Sequence, residues 1–83
     1  MNHVYDAIER YGKCVIYLLD TRVEMWTDPI EGLHLYIESS EDNKVYEFAI
    51  GFDGSYQDPL PSGNLCHWVH SLAEDWAKFC ETL

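Results

Sequence analysis

Basic residues are scarce in this chain of 83 residues, which has five lysines and arginines against fifteen aspartates and glutamates. Neutralisation of phosphates by basic side chains is a dominant contribution to nucleic-acid binding, so the shortage argues against direct binding of DNA or RNA. It also argues against docking on anionic lipid surfaces. We therefore predict that the partner of this protein is neither a nucleic acid nor a membrane.

Motifs for catalysis and cofactor binding are missing as well. The chain has no glycine-rich phosphate loop, no nucleophile elbow and no dinucleotide-binding fingerprint. The sharpest remaining signal is Cys66 with His70, one helical turn apart, and His67 is a competing partner for His70. A zinc site needs three or four ligands, and this spacing matches no familiar zinc pattern. We predict no metal, no cofactor and no enzymatic activity.

The chain also lacks the features of a secreted or membrane-spanning protein. Its cysteines, Cys14, Cys66 and Cys80, are odd in number, whereas disulfide frameworks usually have an even number. The first residues do not form the basic and apolar regions of a signal peptide. The longest apolar run, 14–19, is far shorter than the roughly 20 residues that span a bilayer. These observations predict a cytoplasmic protein with free thiols.

Apolar and aromatic residues, by contrast, are plentiful. Hydrophobic residues make up 47% of the chain and aromatic residues 14%, which is well above the range of disordered proteins. A chain of this length has room for one core. We predict a single compact domain over residues 1–83.

The two ends of the chain have helical spacing of apolar residues. In the C-terminal segment the repeat is Leu65, Val69, Leu72, Trp76, Phe79 and Leu83. In the N-terminal segment it is Val4, Ile8, Tyr11, Val15 and Leu18, which predicts a helix over 2–20. Gly12 is unfavourable inside that helix, and the segment 15–17 has strand character. The alternative is a helix to Tyr11 followed by a strand from Lys13, and we favour the long helix.

The middle of the chain alternates between apolar and polar residues with the period of a strand. Three segments show the pattern, at 23–26, 33–38 and 45–52, and the polar residues 39–43 predict a hairpin turn between the last two. The predicted fold class is α+β, a three-stranded antiparallel meander with an N-terminal and a C-terminal helix packed on one face, in the order α-β-β-β-α. The other face of the sheet is then open to water.

Acidic residues are concentrated in this middle segment, where nine carboxylates and one base lie between Glu24 and Asp58. The alternation places several of them on the predicted open face beside two aromatic residues. Aromatic anchors within a charged rim are typical of protein-binding surfaces. The opposing interpretation is that the carboxylates only keep the protein soluble and a loop covers the aromatics. The predicted partner-binding residues are Glu24, Trp26, Tyr36, Glu38, Glu41, Asp42 and Glu47.

These observations lead to a functional hypothesis. We predict a small acidic binding protein that inhibits a basic, nucleic-acid-handling protein, with its carboxylates in the place of phosphates. DNA mimics, anti-CRISPR inhibitors and immunity proteins against nuclease toxins share this size and charge, and no motif connects the chain to any of them. The alternatives are a structural module that forms a homodimer and a small metal-binding protein that uses Cys66 and His70.

Overall fold

The protein consists of a four-stranded sheet and two helices. A computed structural model describes residues 2–83. The elements are, in chain order, α1 (Asn2–Tyr11), β1 (Cys14–Leu18), β2 (Thr21–Asp28), β3 (Gly32–Glu38), β4 (Val45–Ile50) and α2 (Asn64–Glu81). The strands pair antiparallel in the order in which they follow one another. The predicted α+β class with a helix at each end is confirmed, but the sheet has four strands and not three.

The additional strand comes from the segment that was predicted to extend the first helix, so the prediction of a helix over 2–20 is wrong. Helix α1 ends at Tyr11, and Gly12 follows with a φ of +83°, where its amide donates to the carbonyl of Ile8 at 2.8 Å. A left-handed glycine with this bond is a common helix C-terminus. The following residues then pair with β2, where Ile16 lies opposite Val23. Their β-branched and aromatic side chains suit a strand.

The predicted hairpin between the last two strands is confirmed. Strands β3 and β4 pair from Glu38 with Val45 to Leu33 with Ile50, and the amide of Ser39 donates to the carbonyl of Lys44 at 2.9 Å. Strand β4 ends at Ile50, however, so Phe52 lies beyond the sheet and is 44% exposed. The predicted strand segment 45–52 is therefore two residues too long, because the chain turns at residues 52–54.

The hydrophobic core lies between one face of the sheet and both helices. Its members from the strands and helices form one cluster of buried residues: Val4, Tyr5, Ile8, Cys14, Val23, Met25, Leu33, Leu35, Ile37, Ile50, Leu65, Val69, Leu72, Ala73 and Trp76. The helices contact each other through Tyr5, whose ring stacks on Phe79 at 4.3 Å and whose hydroxyl donates to Asp75 at 2.7 Å. Packing both helices on one face leaves the opposite face of the sheet free.

Residues 51–63 connect β4 to α2 and lie against that helix. Gly54 has a φ of +84°, and a Cβ there would be 3.0 Å from both the carbonyl oxygen of Ala73 and the Cβ of Ala77. Glycine is therefore required for the close approach of this connector to α2. Farther along, the ring of Tyr56 stacks on Phe48 with centroids 5.8 Å apart. The connector therefore packs against α2 at Gly54 and against β4 at Tyr56.

Candidate protein-binding face

The face of the sheet opposite the helices is built from three cross-strand rows of side chains, and we call it the open face. In the pairing register, Glu24, Tyr36 and Glu47 form the central row. One neighbouring row contains Trp26, His34 and Ala49, and the other contains Arg22, Glu38 and Val45. Because side chains alternate along a strand, these residues all point away from the core. Val15 and Tyr17 of β1 extend the same surface.

Aromatic rings occupy the centre of the open face. The indole of Trp26 stacks on the imidazole of His34 with centroids 5.4 Å apart and ring planes only 6° apart. At the edge of the same imidazole, the carboxylate of Glu31 lies 3.1 Å from Nε2. Trp26 and Tyr36 are half-buried by their strand neighbours but lie outside the core cluster. The ring contact of Trp26 is with His34 on the neighbouring strand, and neither Trp26 nor Tyr36 packs against the core cluster.

Two basic residues neutralise part of the charge on this face. Arg22 lies 3.1 Å from one oxygen of Glu24 and 3.5 Å from Glu38, and Lys13 lies 3.5 Å from the other oxygen of Glu24. The hydrogen bond from Arg22 and the charge of Lys13 lower the pKa of Glu24. Glu24 is therefore an internally paired carboxylate. Glu47 is exposed and makes no ion pair within the part of the chain that the structure describes.

The two acids of the β3–β4 turn point away from the open face. Asp42 accepts a hydrogen bond from the hydroxyl of Tyr46, a residue on the helix side of β4, and this bond lowers the pKa of Asp42. Glu41 lines a groove on the helix side together with Leu65 and Trp68. Of the seven predicted site residues, the structure therefore brings five together: Glu24, Trp26, Tyr36, Glu38 and Glu47. The remaining two, Glu41 and Asp42, border the opposite side of the sheet.

At the rim of the open face, the carboxylate of Asp28 accepts hydrogen bonds from the backbone. Its Oδ1 atom accepts hydrogen bonds from the amides of Ile30 at 2.8 Å and Glu31 at 2.9 Å. These bonds, with that from Glu31 the stronger influence, lower the pKa of Asp28. The carboxylate therefore shapes the β2–β3 turn in addition to contributing negative charge to the rim.

Sequence reasoning missed Val15 and Tyr17, which are 37% and 65% exposed on the open face. The error follows directly from the predicted long helix, which assigned both residues to a different surface. The signal that could have identified them is the strand character of the segment 15–17, since alternation there places Val15 and Tyr17 on one side and Ile16 on the other. Tyr17, in the row of Arg22 and Glu38, is a third aromatic residue on the open face.

Comparison with models of protein families, with curated proteins and with solved structures gave no match to this chain. Among residues 2–83 no helix has both the length and the apolar character that crossing a membrane requires.

Proposed function

We propose that this chain is a non-enzymatic binding protein whose open face docks on a basic surface of another protein. The observation that carries the proposal is the aromatic centre of the open face, where Trp26 and Tyr36 lie among charged side chains without contributing to the core. Tryptophan and tyrosine are enriched among the residues that dominate binding energy. The surrounding carboxylates supply orientation and long-range attraction.

The charge of the molecule defines the chemistry of the partner. A net charge of −10 on 83 residues produces a negative potential that attracts a basic surface and repels nucleic acid. On the open face, Glu47 makes no ion pair among the described residues, and Glu38 has one longer contact of 3.5 Å with Arg22 and a half-exposed side chain. Both are more available than Glu24, which is engaged by Arg22 and Lys13. We assign steering to Glu38 and Glu47, and anchoring to Trp26, Tyr36 and Tyr17.

A site that normally holds nucleic acid is the class of basic surface that we propose. Such sites present lysine and arginine at the spacing of phosphates. Neighbouring strands lie about 4.8 Å apart, so the rows of the open face repeat negative and aromatic groups over distances of about 5 to 10 Å. By occupying such a site, the protein would act as an inhibitor of the kind found among DNA mimics, anti-CRISPR proteins and nuclease-immunity proteins.

Affinity capture with matched charge variants tests the proposal. The wild-type chain, a Glu38→Lys/Glu47→Lys variant and a Glu74→Lys/Glu81→Lys variant are immobilised and exposed at low salt to a lysate of the native host. The two variants have the same net charge, but Glu74 and Glu81 are exposed on α2. We expect a basic protein that is retained by the wild type and by the α2 variant, is lost from the open-face variant, and is eluted by double-stranded DNA.

Equal retention by all three baits would contradict the assignment of binding to the open face. A protein that is lost only from the open-face variant but is not eluted by DNA would support binding through the open face. It would contradict the part of the proposal that concerns nucleic-acid mimicry. Each captured protein is then purified and tested alone, since binding between purified components distinguishes a direct contact from an indirect one.

A homodimeric module is the second candidate, and one observation favours it. Strand β1 is an edge of the sheet, and it exposes Val15 and Tyr17 beside its unpaired backbone groups. Unpaired strand edges can pair with a second copy. Multi-angle light scattering separates the candidates: a stable dimer that Tyr17→Lys dissociates favours the module, and a monomer at all concentrations favours the binding protein.

A further inference from the structure

Three metal-binding side chains meet where the connector 51–63 passes the first turns of α2. The thiol of Cys66 lies 3.1 Å from the Oδ2 atom of Asp58, and Nε2 of His70 lies 3.5 Å from the same oxygen. The facing donor atoms of the three residues all lie within 4.8 Å of one another. Cys66 and His70 are one turn apart on the helix, while Asp58 comes from the connector. Nitrogen, sulfur and oxygen donors therefore converge on one point.

Two of the three donor separations are close to those around a tetrahedral zinc ion. With a Zn–S bond of about 2.3 Å and Zn–N and Zn–O bonds of about 2.0 Å, the sulfur-to-oxygen and nitrogen-to-oxygen distances at a tetrahedral centre are about 3.5 and 3.3 Å. The observed distances of 3.1 and 3.5 Å differ from these by a few tenths of an ångström. The third separation, from the sulfur of Cys66 to the ring nitrogen of His70, lies within 4.8 Å. A tetrahedral centre requires about 3.5 Å there, so binding of zinc would draw these two side chains together by up to about 1.3 Å.

Contacts outside the cluster hold its oxygen and nitrogen ligands in place. The amide of Leu60 donates to Oδ1 of Asp58 at 2.9 Å, which leaves Oδ2 directed at the other two donors. The hydroxyl of Tyr56 lies 2.6 Å from Nδ1 of His70. When Nδ1 carries the proton and donates it to that hydroxyl, the lone pair of Nε2 is free for a metal. Outer contacts of this type accompany most histidine ligands in metal sites.

In place of the expectation from the sequence that the chain binds no metal, we propose that Asp58, Cys66 and His70 bind one zinc ion, with water in the fourth position. The mixed set of one thiolate, one imidazole and one carboxylate suits zinc, and three protein ligands with an open position is an arrangement that zinc commonly accepts. The site lies on α2 and the connector and is separate from the open face.

Titration of the reduced, full-length chain without an affinity tag tests this site. Cobalt(II) replaces zinc as a spectroscopic probe, and we expect binding of one equivalent with a thiolate-to-cobalt charge-transfer band that zinc then removes. Cys66→Ser should abolish the band, and His70→Asn should prevent saturation at metal concentrations that saturate the wild type. The matched controls are Cys80→Ser and His67→Asn, which remove the same groups outside the cluster and should bind as the wild type does.

A Tyr56→Phe variant removes the hydroxyl that contacts Nδ1 of His70. We expect this variant to bind zinc about 10-fold more weakly, since loss of such a contact typically lowers metal affinity about 10- to 100-fold. Circular dichroism of every variant confirms that each chain is folded. The proposal is overturned if the wild type binds no stoichiometric metal. It is also overturned if His67→Asn weakens binding as much as His70→Asn, or if the cobalt spectrum has no thiolate band.

Discussion

The two faces of the sheet are made by the same strands, and neighbouring residues on those strands have opposite roles. On the helix side of β3, Leu33, Leu35 and Ile37 are completely buried. Between the last two, Tyr36 is half-buried among Glu24 and Glu47 and lies outside the core. Burial of one leucine contributes about 1.5 to 3 kcal/mol, so the helix side can supply most of the stability. The difference indicates that the open face is available for recognition.

The largest effect that separates the two faces is expected from adjacent alanine substitutions. Leu35→Ala should lower the free energy of unfolding by about 3 kcal/mol, because it removes a fully buried side chain and leaves a cavity. Tyr36→Ala should lower it by about 1 kcal/mol, since cross-strand contacts contribute about that much. Urea unfolding of both variants measures the two values. Equal losses would show that the open face is as important to folding as the core.

A smaller effect is expected at Gly12, which allows β1 to join the sheet and complete both faces. Gly12→Ala should lower the free energy of unfolding by about 1 to 2 kcal/mol, because a φ of +83° is unfavourable for a residue with a Cβ. No atom lies within 4 Å of the position of that Cβ, so the loss reflects backbone conformation alone. Gly12→Asn is the control and should lose less, since asparagine tolerates this conformation. Urea unfolding is again the measurement, and an unchanged stability in Gly12→Ala would contradict the assigned helix end.

The smallest effect is expected at Asp28, a residue at the rim of the open face whose carboxylate also stabilises the β2–β3 turn. Its folded-state pKa is depressed below 3.8 by the amides of Glu31 and Ile30, so its stabilising effect is present above that value and is lost as the pH falls through the folded pKa. Asp28→Asn keeps an acceptor oxygen but lacks the charge. Thermal unfolding should show the wild type more stable than the variant above about pH 5, and the difference should shrink as the pH falls below 3.8 and through the folded pKa. A difference that is constant with pH would show that charge has no part in the turn.

Much of the architecture could be predicted from the sequence, because its signals are local. The helical repeat from Leu65 to Trp76 and the alternation in β3 and β4 each depend on one periodic pattern, and both were correct. The helix boundary at Gly12 was not predictable in this way, since Val15 and Leu18 fit a helical stripe as well as a strand. Pairing with β2 decided between them, and pairing is a tertiary effect.

The site was predicted only in part for a similar reason. Alternation along the strands correctly grouped Trp26 with Tyr36, but it says nothing about turns. Asp42 is directed to the helix side by its contact with Tyr46, which the sequence pattern does not reveal. Asp58 joins Cys66 and His70 only because the connector folds back against α2. Contacts made by residues of turns and connectors follow no periodic pattern in the sequence, so they could be identified only from the structure.

The affinity of the purified partner for two tyrosine variants tests the central claim most directly. Tyr36→Ala removes an aromatic residue from the open face, and Tyr11→Ala removes one that is 77% exposed at the end of α1. For the protein recovered by the capture experiment, we predict that Tyr36→Ala raises Kd at least about 10-fold, equivalent to about 1.4 kcal/mol, while Tyr11→Ala changes it less than about twofold. Equal Kd values for the two variants and the wild type would contradict the claim that the open face is the binding surface.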